Sequence, residues 1–168
     1  MTERSRTVAW TDPVEARKAA AGLSGLEMMR ALHDGTIPPP PMAVLTNSTV
    51  IEVEPGRVVF TCTPGEEHYN PLGTVHGGLL CTLLDTVVGC AAHTTLDAGV
   101  GYTSIEIKVS YLRPVTLGSG TLTATGRVTK PGRRVIFADG EVRDAAGALV
   151  ATASSSLLVL PGTGAPTA

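Results

Sequence analysis

The hydrophobic and polar positions of this chain predict one long helix set among short strands. Between residues 68 and 94, a Gly/Pro-rich turn leads into apolar residues at three- and four-residue spacing, the pattern of an amphipathic helix. Gly77 and Gly78 fall in its first turn, and Asp85 is the single carboxylate that it carries. The apolar stripe consists of Leu79, Leu80, Leu83, Leu84, Val87 and Val88.

Alternation of apolar and polar residues predicts strands on both sides of this helix. Residues 43–54 and 57–63 precede it and form a hairpin around the turn at Pro55 and Gly56. Four strands follow it and are predicted to form an antiparallel meander; they are residues 102–112, 119–129, 133–143 and 149–159. Since only the sheet offers an apolar partner, the helix must cover one face of it. The predicted fold class is α+β.

The first 41 residues are predicted to be an extension of this domain. Residues 12–33 have a helical pattern interrupted by two glycines, so they form one or two short helices, with Asp12 as N-cap and Pro13 in the first turn. The prolines of residues 38–41 form a stiff, non-helical connector that leads into the body.

Three parts of the chain follow from these patterns. They are an N-terminal helical extension with its Pro-rich connector (1–41), one folded domain (42–160) and a disordered tail (161–168). The extension either covers the edge of the sheet or forms a lid over a ligand tunnel.

Composition and charge narrow the classes of function. The net charge of -2 gives no broad basic field, so nucleic acid is not an expected partner. Cys62, Cys81 and Cys90 lack metal-type spacing and are interpreted as small buried side chains in a reducing compartment. The chain has neither a membrane-length apolar segment nor the apolar core of a secretory signal, so we expect a cytoplasmic protein without membrane attachment.

The start of the long helix and its carboxylate are the first candidates for a site. Backbone N–H groups at a helix N-terminus attract negative charge, and glycine at position 77 leaves room for a substrate oxygen. Asp85 lies eight residues further on, about 12 Å along the helix axis at 1.5 Å per residue. An antiparallel helix from a second subunit brings its Asp85 towards the first Gly77, so we predict a site at a dimer interface.

Each of these residues also has a purely structural explanation. Gly77 and Gly78 permit tight packing of the helix, and Asp85 caps or pairs within a dimer contact. Asn70, in the approach loop, either donates a hydrogen bond to a carbonyl oxygen or forms a turn. His76 is a ligand, a base or simply the residue that precedes the helix. The spacing of the histidines from Asp85 fits no usual metal site, so no metal is expected.

Taken together, these residues resemble the hotdog-fold acyl-CoA thioesterases of the PaaI-like, phenylacetic-acid-type branch. The resemblance covers roughly residues 42–160 and rests on Asn70-Pro71-x-Gly73-x-x-His76-Gly77-Gly78, on Asp85 and on Tyr111-x-Arg113-Pro114. It implies a hotdog fold, in which an antiparallel sheet wraps around one long central helix. It also implies hydrolysis of an acyl-CoA thioester to free acid and CoA, with no cofactor.

The same resemblance implies a role for each matched position. The Gly77 N–H polarises the thioester carbonyl, assisted by Asn70. Asp85 of the partner subunit acts as general base on water, or as a nucleophile through a mixed anhydride. Ser104 corresponds to the residue that helps to position the water, and His76 supports the loop.

The phosphates of CoA require cations at the entrance of such a site. The candidates are Arg113, Lys130, Arg133 and Arg134, and the alternative is that these are ordinary solvated charges of turns. We expect a homo-oligomer, a dimer at minimum and a tetramer built from two dimers. Two rival functions are a non-catalytic acyl-CoA-binding hotdog module and a hotdog hydratase or dehydratase. The acyl group is left open.

Overall fold

The structure, a computed structural model, describes residues 2–160 and residue 162. Its α-helices are α1 (Pro13–Ala19), α2 (Gly25–His33), α3 (Pro41–Leu45) and α4 (Gly77–His93). Its strands are β1 (Ser48–Glu54), β2 (Arg57–Cys62), β3 (Gly101–Tyr111), β4 (Leu122–Lys130), β5 (Val135–Arg143) and β6 (Leu149–Leu160). The predicted disordered tail, residues 161–168, lies outside the described residues except for Gly162.

The six strands form one antiparallel sheet in the order β1-β2-β4-β5-β6-β3. The predicted class, an antiparallel sheet around one long central helix, is confirmed. The predicted four-strand meander is wrong in one respect, because β3 pairs with β6 and not with β4. The chain crosses the sheet face through α4 and enters β3 at the far edge. It then returns to place β4 beside β2, and β5 and β6 fill the space between β4 and β3.

Helix α4 packs closely against the middle of the sheet. All six residues of the predicted apolar stripe are buried. Gly126 of β4 and Gly140 of β5 are register partners beneath the helix. A Cβ atom on Gly126 would lie 2.1 Å from the carbonyl oxygen of Val87, so only glycine allows this approach. None of the helices in the described residues is long and apolar enough to cross a membrane.

The N-terminal extension forms two short helices, within the predicted range of one or two. Asp12 caps α1 by accepting a hydrogen bond of 2.8 Å from the Val14 N–H, and Pro13 occupies the first turn. Helix α2 begins with a capping box between Ser24 and Glu27. The Gly25 N–H then donates to the Leu96 carbonyl at 3.0 Å, which fixes α2 to the segment that follows α4.

Two predictions about the following segment are wrong. Residues 41–45 were expected in an extended connector and a strand, but they form α3, and β1 begins only at Ser48. Pro41 is the first residue of this helix. Proline is compatible with that position because its fixed φ suits the helix and the first N–H has no intrahelical acceptor anyway.

Candidate active site

The N-terminus of α4 presents a free backbone donor. His76 is the N-cap, and its Nδ1 accepts a hydrogen bond of 2.8 Å from the Gly78 N–H. The His76 N–H donates to the carbonyl of His68 at 2.8 Å, which ties the helix start to the approach loop. No acceptor for the Gly77 N–H lies among the described residues. This N–H points from the positive end of the helix dipole and is suited to an anionic oxygen.

A shallow cavity of about 290 Å³ adjoins this donor, with Gly77, Tyr111 and Arg113 in its lining. The ring of Tyr111 lies so close that a Cβ atom on Gly77 would be 3.1 Å from its Cζ. Glycine at this position therefore keeps the space between the N–H and the Tyr111 ring open. Of the predicted cations, Arg113 is the one that the fold brings to this end of α4.

Asp85 lies on the exposed side of α4 and is oriented by the edge strand β3. The Ser104 hydroxyl donates a hydrogen bond of 2.8 Å to Asp85 Oδ1. Asp85 is exposed in the single chain, whereas Ser104 is half-buried. This contact fixes one carboxylate oxygen and leaves Oδ2 for another partner.

Two protonated side chains lie near Asp85, and sequence analysis did not select either. Burial, followed by the charge of Asp85, raises the pKa of the Cys90 thiol to about 12. Burial is also the main cause of the raised pKa of Tyr102, with Cys90 and Asp85 contributing. Both groups are therefore neutral at physiological pH, and Cys90 is not available as a thiolate nucleophile.

Tyr102 reaches this position because Gly89 leaves room for it. A Cβ atom on Gly89 would lie 2.8 Å from the Tyr102 hydroxyl oxygen. The signal in the sequence is that Tyr102 precedes Ser104 by two residues, which places both on one face of β3. Gly89 similarly follows Asp85 by one helical turn.

Asn70 organises the loop that leads into α4. Its Oδ1 accepts hydrogen bonds from the Leu72 and Thr74 N–H groups at 2.9 and 3.3 Å, and its Nδ2 donates to the Thr74 hydroxyl at 3.0 Å. Asn70 was expected either to form the turn or to donate to a substrate carbonyl, and these hydrogen bonds are those of a turn-forming residue. The second Nδ2 hydrogen has no acceptor in the part of the chain that the structure describes.

The other three predicted cations lie far from Arg113 along the helix. Lys130, Arg133 and Arg134 surround the β4–β5 turn and are exposed. Arg133 lines a cavity of about 340 Å³ with Thr95 and other residues just beyond the C-terminal end of α4. Within one chain the four cations therefore lie at opposite ends of α4. No group of three or more His, Cys, Asp or Glu side chains within residues 2–160 is arranged to hold a metal ion.

The single chain thus contains two groups of candidate site residues on one helix. Gly77, with Tyr111 and Arg113, is at the first turn, and Asp85 with Ser104 is two turns further on. The strand that carries Ser104, β3, is one of the two edge strands of the sheet.

Comparisons with known proteins agree with this architecture. The family model of the thioesterase superfamily matches residues 72–151. Human acyl-coenzyme A thioesterase 13 is 33% identical over 109 residues, which are 64% of this chain and 76% of the relative. A phenylacetic acid degradation-related protein from Ralstonia eutropha JMP134 has a TM-score of 0.71 at 28% identity, covering 77% of this chain and 98% of that chain.

A Streptococcus mutans protein solved with acetyl-CoA has a TM-score of 0.63 at 28% identity, covering 68% of this chain and 89% of that chain. The chain belongs to the thioesterase superfamily. Within it, the chain falls among the hotdog-fold, PaaI-like acyl-CoA thioesterases, which are thioester hydrolases. The family and the hotdog fold expected from the sequence are confirmed.

Proposed function

We propose that the protein hydrolyses an acyl-CoA thioester to the free acid and CoA at a site shared by two subunits. The observation that carries this proposal is the exposed Asp85 carboxylate, held at one oxygen by Ser104, on the same helix as the free Gly77 N–H. Two turns of helix separate the two groups, so one chain does not direct both at the same carbonyl.

The position of β3 supports a two-fold dimer. An edge strand with unpaired backbone groups is a template for pairing with another chain, and Ile105 on this strand is 56% exposed. A two-fold axis beside β3 continues the sheet into the second subunit and lays the two α4 helices antiparallel. Asp85 of one chain then lies beside the partner's Gly77. A tetramer made of two such dimers is the assembly that we expect in solution.

The two groups of candidate site residues supply the two kinds of stabilisation that thioester hydrolysis needs. Negative charge develops on the carbonyl oxygen, where the Gly77 N–H and the spare amide hydrogen of Asn70 donate. One preorganised donor at such an oxygen contributes typically ~10²–10³ in rate. The loop bonds of Asn70 to Thr74 hold the amide in position for this role.

Asp85 Oδ2 accepts a proton from water as general base, which contributes typically ~10²–10⁴. The resulting hydroxide attacks the carbonyl carbon, and collapse of the tetrahedral intermediate expels the CoA thiolate, which takes up the proton from Asp85. Ser104 holds Oδ1 throughout and so fixes the direction of Oδ2. In the alternative route, Asp85 attacks the carbonyl carbon directly and expels the CoA thiolate to give a mixed anhydride, which water then hydrolyses to the free acid.

The phosphates of CoA would meet cations from both chains. Arg113 lines the cavity beside Gly77, whereas the β4–β5 turn with Arg133 lies at the other end of α4. Antiparallel helices bring the partner's turn towards the Gly77 end, so the separated cations would converge at one entrance. Guanidinium groups bind phosphate through two parallel hydrogen bonds.

Thiol release from a panel of acyl-CoAs tests this function. Wild type should hydrolyse at least one thioester, and Asp85→Asn should lose at least about 10²-fold in kcat. Asp139→Asn removes an exposed carboxylate of β5 and should leave kcat unchanged. If Asp85→Asn matches wild type, the proposed mechanism is wrong. If wild type releases no thiol, acyl-CoA binding without turnover indicates the binding module, and a change in enoyl-CoA absorbance indicates a hydratase.

A further inference from the structure

A cavity of about 570 Å³ lies between the N-terminal extension and the body of the domain. One wall consists of Ile37, the prolines that follow it and α3, which contributes Val44. The opposite wall is formed by Val50 of β1 and Phe60 of β2. Thr86 and Cys90 of α4 also line the cavity.

We propose that this cavity holds the acyl chain of the substrate, an unbranched aliphatic chain, and that the N-terminal extension sets the chain length accepted. The inference rests on the proposed thioesterase function. It adds to that function a binding site built mainly from residues before position 72, where the match to the family model begins.

The chemistry of the lining fits an aliphatic chain better than the CoA part of the substrate. Prolines, Ile37, Val44, Val50 and Phe60 make the walls largely apolar, and such surface gains from burying methylene groups that need no hydrogen bonds. Arg6 is the cation in the lining, and it is already bonded to the Val44 carbonyl at 3.0 Å and to Glu67.

The cavity reaches α4 at residues next to the carboxylate that we assign to catalysis. Thr86 follows Asp85 directly in the chain, and Cys90 lies about one turn beyond it on the same side as Thr86. In the proposed dimer, Asp85 lies opposite the partner's Gly77, which is the first residue of the partner helix. Cys90 then lies about 7.5 Å beyond the end of that helix, at 1.5 Å per residue. The partner helix therefore does not cover Cys90 at this end of the cavity.

The extension is fixed in place and the cavity is preformed. The Gly25 N–H donates to the Leu96 carbonyl at 3.0 Å, and the His33 ring bonds the Ile51 carbonyl at 3.0 Å. Met29 and Ile37 are both buried. A wall held by these contacts discriminates between acyl chains of different length. A longer acyl chain could displace the wall only by breaking the contacts that hold it.

Selectivity among acyl-CoAs of increasing length is the expected signature. Burial of one methylene contributes about 0.8 kcal/mol, which is about fourfold in kcat/KM for each added carbon until the cavity is full. Beyond that length kcat/KM should fall.

Two substitutions at one wall position test the assignment in opposite directions. Val44→Phe fills the cavity and should lower the ratio of kcat/KM for dodecanoyl-CoA over acetyl-CoA at least tenfold. Val44→Ala enlarges it and should move the preferred length to longer chains. Leu45→Phe, on the same short helix but outside the cavity lining, is the matched control and should keep the wild-type profile.

Binding of non-hydrolysable alkyl-CoA thioethers to Asp85→Asn, measured by calorimetry, separates this inference from the proposed function. Dodecyl-CoA should bind more tightly than ethyl-CoA, and adding Val44→Phe or Val44→Ala should change that preference as in the assay. If these binding preferences are observed while wild type hydrolyses no thioester, the proposed thioesterase function is wrong and the assignment of the cavity to the acyl chain is supported. If wild type is active but neither Val44 variant changes chain-length preference, the cavity assignment is wrong.

Discussion

Ser104 of β3 donates a hydrogen bond of 2.8 Å to Asp85 of α4, and this contact joins the edge strand to the exposed carboxylate of the central helix. The bond fixes one carboxylate oxygen, and the other has access to solvent or a partner because Asp85 is exposed. The proposed catalytic role of Asp85 therefore depends on the position of β3.

Replacing Ser104 with alanine should lower kcat without unfolding the protein. A hydrogen bond to a charged group contributes about 1.5–3 kcal/mol, so we expect a loss of about 10- to 100-fold in thioester hydrolysis. Ser104→Thr keeps the hydroxyl and should retain most of the activity. Thr103→Ala, at the exposed neighbouring position, is the control. Equal losses in Ser104→Ala and Thr103→Ala would contradict a specific role for the bond.

Two substitutions at Gly77 distinguish the contribution of its backbone N–H from the contribution of the space around it. Proline is compatible with the first position of a helix and removes the N–H, and the extended ψ of 133° at His76 suits a following proline. Gly77→Pro should lower kcat by about 10²–10³. Gly77→Ala keeps the N–H, and its Cβ requires only a small shift of the exposed Tyr111 ring, so its loss should stay within about tenfold. Equal losses in the two variants would show that space, not the donor, is what matters.

The proposed dimer predicts unequal effects at the two edges of the sheet. Ile105 of β3 and Ile51 of β1 are both exposed, and each lies at a register shift of an edge strand. Ile105→Lys should weaken dimerisation and lower specific activity at low protein concentration, because it places a charge in the interface. Ile51→Lys should change neither. Light scattering across a dilution series measures the mass, and the same response from both variants would argue against pairing through β3.

His93, in the last turn of α4, predicts how stability depends on pH. Burial lowers the pKa of His93 below its ordinary value of about 6.5, so the unfolded chain binds this proton more readily than the native protein does. The free energy of unfolding should therefore decrease as pH falls from 7.5 through 6.5 towards the native pKa. Urea unfolding should show a smaller decrease for His93→Gln than for wild type. The same slope in His93→Gln and in wild type would contradict this assignment.

The sequence predicted those features that depend on local pattern. The apolar stripe of α4, the capped start of α1 and the turns between strands follow from residue spacing and turn chemistry. The order of strands did not follow, because alternation in residues 102–112 shows that a strand forms but not which strand it pairs with. The short helix at Pro41 was missed because a proline run was interpreted as extended chain, although proline fits the first turn of a helix.

The candidate site was predictable in its main groups and less so in their surroundings. Gly77 and Asp85 were selected from motif and spacing, and Ser104 from the family resemblance. The positions of Tyr102 against Gly89 and of Tyr111 against Gly77 depend instead on contacts between distant elements. The four basic residues were grouped by charge alone. The fold separates Arg113 from the β4–β5 turn by the length of α4, a separation that residue type does not reveal.

Mixing two inactive variants tests most directly whether the site is shared between subunits. Asp85→Asn retains Gly77, and Gly77→Pro retains Asp85, so a dimer with one chain of each contains one intact site. Coexpressed in equal amounts and assorted at random, the two chains should recover about a quarter of the wild-type specific activity, since half of the dimers are mixed and each has one working site of two. Activity no higher than the mean of the two parent variants would contradict the shared site.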